Sequence, residues 1–191
     1  MEWTDKDRQF LLSFKEDVDY DGIKIKEQVK KVLLNNNYII HVLNNKSLEL
    51  ADAEPSDYFG INILPYYLIP ETQSNTKNFL CYTVGYKNLS KGNSILKLLQ
   101  ITFVVLCHQE DIIDKETGIP RHDLLGALIQ DQFNYTTYMG KKIELISDLE
   151  AVTDDDYSTR TLVFEQITDN NVIKTRDKVS RFANKDIQAQ V

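Results

Sequence analysis

Glycine and proline are scarce in this chain, 7 and 4 among 191 residues, which excludes collagen-like repeats and linker-rich organisation. Cysteine is scarcer still. Cys81 and Cys107 lie in apolar, strand-like runs and form no CxxC pair, so two buried free thiols in a reducing compartment are expected. Long apolar runs are missing too: the longest, Ile101–Cys107, is interrupted by Thr102 and is too short to span a bilayer. The opening Met1–Asp7 is polar and acidic with no apolar stretch behind it, which reads against a signal peptide. Positive charge is in deficit. The net charge of −7 disfavours nonspecific binding to a phosphate backbone.

What is present is ordinary for one globular domain: 42% hydrophobic and 27% charged residues, with ten tyrosines and eight phenylalanines to fill a core or an interface. The charge is unevenly placed. From residue 168 onward Lys174, Arg176, Lys178, Arg181 and Lys185 face Asp169, Asp177 and Asp186, a local +2 that leaves −9 on the rest. Two readings of this tail stand side by side: a solvated terminus, or an arm that docks on an acidic surface such as a second copy.

Hydrophobic period divides the chain. Thr4 with Asp7 resembles a capping box opening a short helix in which Phe10, Leu11 and Phe14 share a face. A second helix is expected from about Ile23 to Leu34, stopped by Asn35-Asn36-Asn37. The period then changes to two. Tyr38–Leu43 and Tyr58–Leu64 read as short strands, the latter with Phe59, Ile61 and Ile63 on one face, and Phe79–Lys87 and Ile95–His108 read as longer ones. The last of these is apolar on both faces, so it needs cover on both: helices on one side, a second layer or a partner subunit on the other. Pro120 opens a helix to Phe133 with Leu124, Leu125, Leu128 and Ile129 as its buried stripe, and Ile143–Ile146 and Thr159–Ile167 are two further strands. The fold expected is α+β, an antiparallel or mixed β-sheet flanked by helices with a C-terminal arm: residues 1–176 as one domain (1–20 a helical extension) and 177–191 as the arm. Within the arm Phe182 is the apolar anchor, and Lys178, Arg181 and Lys185 supply charge.

Three constellations could carry chemistry. Asp17-Val18-Asp19-Tyr20-Asp21-Gly22 matches the start of a calcium loop. Its twelfth position, however, is Gln28, and Lys24 would place a cation beside the ion, so an acidic loop before a helix N-terminus is the preferred reading. Glu110, Asp111, Asp114 and Glu116 around Lys115 could hold magnesium for a nuclease, but the acidic balance suits a DNA-cleaving surface poorly. His41, His108 and His122 are scattered, with no nucleophile in a motif beside them. Phosphate loops and metal-ligand spacings are absent. No enzyme activity and no cofactor are expected. The alternatives carried are a binding module regulated by a metal at Asp17, Asp19 and Asp21, and a nucleic-acid-processing enzyme.

The segments Ile119-Pro120-Arg121-His122-Asp123-Leu124-Leu125-Gly126, Gly140-Lys141-Lys142-Ile143-Glu144-Leu145-Ile146-Ser147-Asp148 and Thr159-Arg160-Thr161-Leu162-Val163-Phe164-Glu165-Gln166 make the chain similar to tailed-bacteriophage virion proteins. In layout it resembles the tail-terminator and head–tail joining (neck) proteins. That resemblance implies a sheet flanked by helices, assembled as a homo-hexameric ring that caps the tail tube and meets the neck proteins. It further implies location in the virion after assembly in the host cytoplasm, no membrane, and DNA passing through an acidic channel without specific binding. The loop Asp154, Asp155, Asp156 would suit such a channel. The N-terminal helical segment and the basic tail depart from the family's layout.

Overall fold

Thr4 opens the first helix as its spacing predicts: its hydroxyl accepts from the Asp7 amide, and the Asp7 carboxylate accepts from the Thr4 amide at 2.9 Å. The computed structural model describes residues 4–14, 21–67, 77–88, 96–154 and 156–169. Five α-helices are found there: α1 (Asp5–Ser13), α2 (Asp21–Leu34), α3 (Asn37–Leu43), α4 (Lys46–Leu50) and α5 (Arg121–Phe133). The five strands are β1 (Ile63–Leu64), β2 (Asn78–Asn88), β3 (Leu96–His108), β4 (Glu144–Asp154) and β5 (Tyr157–Asp169). They form one mixed sheet in the order β1-β2-β3-β5-β4, parallel only between β1 and β2. The last strand therefore inserts between β3 and β4, which α5 connects.

Two expected strands are corrected. Tyr38–Leu43 lies in helix α3: the Asn36 side chain accepts from the Tyr38 and Ile39 amides, and Ile39, Val42 and Leu43 fall on one helical face and are buried. Asn44 ends this helix in the left-handed region, at φ 47°. Tyr58–Leu64 is mostly not a strand either. A 3₁₀ turn over Pro55–Tyr58 precedes it, Ile61 is exposed, and only Ile63 and Leu64 join the sheet. Elsewhere the pattern reading holds with moved ends. β4 runs well past Ile146, and Pro120 stands just before α5, where its fixed φ opens the helix.

Cover is one-sided. Helices α2, α3 and α5 lie on one face of the sheet and share a single core with it: Ile25, Val29 and Leu33 from α2, Ile39 and Leu43 from α3, Leu125, Ile129 and Phe133 from α5. Leu80 and Tyr82 of β2, Leu99, Ile101, Phe103 and Val105 of β3, and Leu162 and Phe164 of β5 meet them. Phe103 is the hub, with ring centroids 4.9 Å from Phe133 and 5.7 Å from Phe164, the latter edge-on. The opposite face carries a small second cluster at one end, Leu64, Phe79, Cys81, Leu106 and Tyr157. Both cysteines are free and buried, and burial pushes the Cys107 thiol far above the ordinary range.

Candidate functional site

The magnesium candidates come together only in part, and an arginine occupies their centre. Arg121, on the first turn of α5, is buried; its Nη1 lies 3.0 Å from Asp114 Oδ1 and 3.2 Å from the Val42 carbonyl, and its Nε donates to the Asp111 carbonyl at 3.0 Å. Asp111 Oδ2 meanwhile accepts from Asn44 and Asn78, at 2.7 and 2.8 Å. Asp114 is held below the usual carboxylate range, first by the Thr117 hydroxyl and amide, then by the nearby charge of Arg121. Glu110 points away to Lys77 at 2.7 Å, and Glu116 pairs with His41 at 3.6 Å. A guanidinium thus pairs with the buried Asp114 and lies 3.5 Å from the half-buried Asp111. The cluster joins α3, the start of β2 and the β3–α5 connection, and it reads as structural.

A second group was not foreseen. Arg160 of β5 reaches Asp148 of β4 through two bonds, Nε–Oδ1 and Nη2–Oδ2, both 2.8 Å, and reaches Asp123 of α5 through Nη1. The Asp148 bonds hold the guanidinium proton more firmly than usual. Beside it His122 Nε2 sits 3.2 Å from Glu150 Oε1 and 3.6 Å from Asp123 Oδ1, a spacing at which one ion could touch all three residues. Two observations oppose a cation here. Arg160 already supplies the positive charge to Asp123. His122 is also buried with Nδ1 lacking any partner. Metal on Nε2 would force the proton onto Nδ1, leaving a buried donor without an acceptor, whereas a ligating histidine normally donates its other N–H. The network favours an Nε2–H donated to Glu150 and a bare Nδ1.

Gly126 makes the Arg160 cluster possible. A Cβ there would stand 2.7 Å from Arg160 Cδ and 2.8 Å from Nε, so α5 approaches β5 this closely only because the residue is glycine.

The expected acidic loop is the β4–β5 turn. Asp154 ends β4 opposite Tyr157, and the Asp156 carbonyl accepts from the Gln109 amide at 2.8 Å; Asp155 lies outside the described residues. The arm residues Lys178, Arg181, Phe182 and Lys185 also lie outside them, as do Asp17 and Asp19, while Asp21 begins α2. No helix among the described residues is long and apolar enough to cross a membrane.

The surface that remains is the sheet face opposite α2, α3 and α5. Register places Thr83, Thr102, Val163 and Ser147 in one row across the strands, and Cys81, Val104, Thr161 and Leu149 in the next. Leu149 is 64% exposed, and Val104, Thr161 and Val163 are half-buried. Toward the end of β5, Leu98, Ile146 and Ile167 line a shallow groove edged by Lys142, Glu144 and Glu165. These rows were legible in β3 alone, as a strand apolar on both faces. Their extent over four strands was not, because it depends on pairing.

No curated protein matches the chain. The YomW family model matches residues 30–166, from the middle of α2 almost to the end of β5. Its name is phage-derived, of the SPbeta-like group, and points to a phage-associated protein without naming a station in the virion. The match takes in well over half of the chain, including strands β1 to β4, most of β5 and the helices α3, α4 and α5, and the chain belongs to the YomW family.

Proposed function

We propose that the chain is a structural subunit of a phage virion, of tail-terminator or neck type. It assembles with copies of itself into a hexameric ring that caps the tail tube and joins it to the head. The observation that carries this reading is the match to a family with a phage-derived name over nearly all of the sheet. The partly exposed sheet face opposite α2, α3 and α5 among the described residues supports it, since a subunit that works by contact needs accessible surface. So do the two arginine clusters, which satisfy their carboxylates internally and leave them little capacity for catalysis. In this reading the protein has no enzymatic role and no cofactor. DNA passes its acidic surface without specific binding, and its partners are the tube and neck proteins. The arm 177–191, with Phe182 as anchor and Lys178, Arg181 and Lys185 around it, contacts the next copy.

The test is to purify particles from a phage that encodes the chain and to locate it by mass spectrometry and labelled electron microscopy. The reading expects a few copies per particle at the head–tail junction. Presence only in the soluble lysate, with intact particles free of the chain, would overturn it.

A further inference from the structure

We propose that the hollow between α3, α4 and the turn before α5 holds the phosphate group of a small polar molecule, with Arg121 as its floor and Lys46 and Lys115 at its mouth. The proposal goes beyond the virion reading and does not depend on it.

A guanidinium carries five N–H donors. In Arg121 the Nε donor goes to the Asp111 carbonyl, and Nη1 serves the Val42 carbonyl and the Asp114 carboxylate. Nη2, with two donors, has no hydrogen-bond partner among the described residues. It is not sealed off either. The buried side-chain atoms without partners there are Asn78 Oδ1, His122 Nδ1 and Gln166 Oε1, so Nη2 reaches open space. The open space that Arg121 lines is a hollow of about 160 Å³, although the residue as a whole is only 4% exposed. A buried charge with unspent donors at a cavity is satisfied by an acceptor placed in that cavity.

Two more donors meet there. Lys46, at the start of α4, and Lys115, in the turn after Asp114, line the same hollow. Both also line a larger depression of about 300 Å³, so they stand where the two spaces join. Neither ammonium has an ion pair or a hydrogen bond, in a chain with 29 acidic against 22 basic residues. The nearby carboxylates are engaged elsewhere. Asp114 is held by Thr117 and Arg121, Glu116 by His41, Glu110 by Lys77, and Asp111 by Asn44 and Asn78. What the fold leaves over in the hollow is therefore cationic donors.

An oxyanion fits that remainder. Phosphate oxygens accept from a guanidinium edge and from ammonium point charges at once. A metal cation fits none of these groups. The larger depression adds Asn45, Ser47 and Lys77, and no apolar side chain among the described residues lines it. Pockets for aromatic or acyl ligands are walled mainly by hydrophobic groups, so neither a base nor a lipid chain is served here. The class that suits both spaces is a phosphomonoester with a hydroxyl-bearing remainder. A nucleic-acid strand suits them less, because the chain's net charge of −7 opposes a polyanion.

Calorimetric titration of the full chain with inorganic phosphate and with ribose 5-phosphate, at constant ionic strength, tests the proposal. Both should bind, the ester at least as tightly, and saturation should raise the melting temperature by about 2–5 °C. Lys46→Gln and Lys115→Gln should each weaken binding about fivefold or more. The melting temperature without ligand should stay unchanged in both, since these side chains are exposed and bond to nothing in the fold. Replacing Arg121 would disturb the fold itself, so the lysines carry the test. A melting temperature that phosphate raises no more than chloride does would overturn the proposal. So would unaltered binding in both lysine variants, which would put the anion elsewhere. An affinity for ribose 5-phosphate about tenfold below that for phosphate would leave no place for an ester. Tighter binding of a single-stranded oligonucleotide than of either ligand would overturn the proposal in favour of a nucleic-acid contact. None of these results bears on where the chain sits in a particle, so the two readings fail separately.

Discussion

The two faces of the sheet are built from the same strands, often from adjacent residues, yet they obey different rules. Phe103 on β3 is fully buried among Phe133, Phe164 and Tyr82, while its neighbour Thr102 points to the opposite side and is only half-buried. On the helical face large side chains interlock and charges are pinned by partners from two or three elements. On the open face small β-branched side chains lie in level rows. The first arrangement stabilises one subunit. The second is buried only at one end, around Leu64, Phe79, Cys81, Leu106 and Tyr157.

The sharpest way to break this contrast is to remove the hub. Phe103→Ala should cost about 3–5 kcal/mol through lost burial and the cavity left behind. Urea unfolding should show it as a lower midpoint with an unchanged slope; a loss of under about 1 kcal/mol would mean that the helical face is not the stabilising one.

Next in size is the buried guanidinium. Arg121→Ala removes the cation beside Asp111 and Asp114 and the donors to the Val42 and Asp111 carbonyls, and should cost about 3–4 kcal/mol at neutral pH. The loss should shrink in acid. The Asp114 carboxyl is depressed in the fold, mainly by Thr117 and in smaller part by Arg121; the Arg121 share is fully present above the unfolded carboxylate range near pH 4 and fades as pH falls through the folded value. Equal losses at pH 7 and pH 3 would contradict that.

A smaller effect sharpens the role of close approach. Gly126→Ala should cost about 1–3 kcal/mol, because Arg160 is tied to Asp148 and Asp123 and has little room to yield. In an Arg160→Ala background the same change should become neutral or favourable by up to about 1 kcal/mol, as helix propensity then decides. A double-mutant cycle with no coupling would show that the guanidinium is not what excludes a side chain.

Smallest of all is the open face. Leu149→Lys should alter the stability of the isolated subunit by less than about 0.5 kcal/mol. A loss above about 1 kcal/mol would mean that this residue is packed within its own chain.

The long regular elements were legible in the sequence because a single period runs through them. Leu80, Tyr82, Val84 and Tyr86 alternate cleanly in β2, and β3 shows two apolar sets out of phase. Tyr38–Leu43 misled because Ile39, Val42 and Leu43 fit a helix while the run of branched residues suggests a strand; only the Asn36 cap decides, and Asn36 had been read as a stop for α2 alone. The length of β4 was hidden by Asp148 and Glu150, which interrupt its apolar alternation in order to reach Arg160 and His122. Both arginine clusters escaped for a general reason. Most of their partners lie ten or more residues away in the chain, as Asp111 does from Arg121 and Asp123 from Arg160, and no local pattern records a pairing that the fold creates.

The place of β5 between β3 and β4 has a consequence for how the molecule is made. Until residues 157–169 emerge, β3 and β4 each expose an unpaired edge, and α5 lacks Leu162 and Phe164 beneath it. A nascent chain can form the β2–β3 hairpin early, and β4 and β5 can pair across their tight turn, but the sheet closes only when β5 of that late hairpin docks on the free edge of β3. Such non-local closure is slow, and an unpaired edge is open to other chains while it waits. Subunits synthesised close together would pass through a period in which a neighbour's strand competes for the slot that β5 later fills.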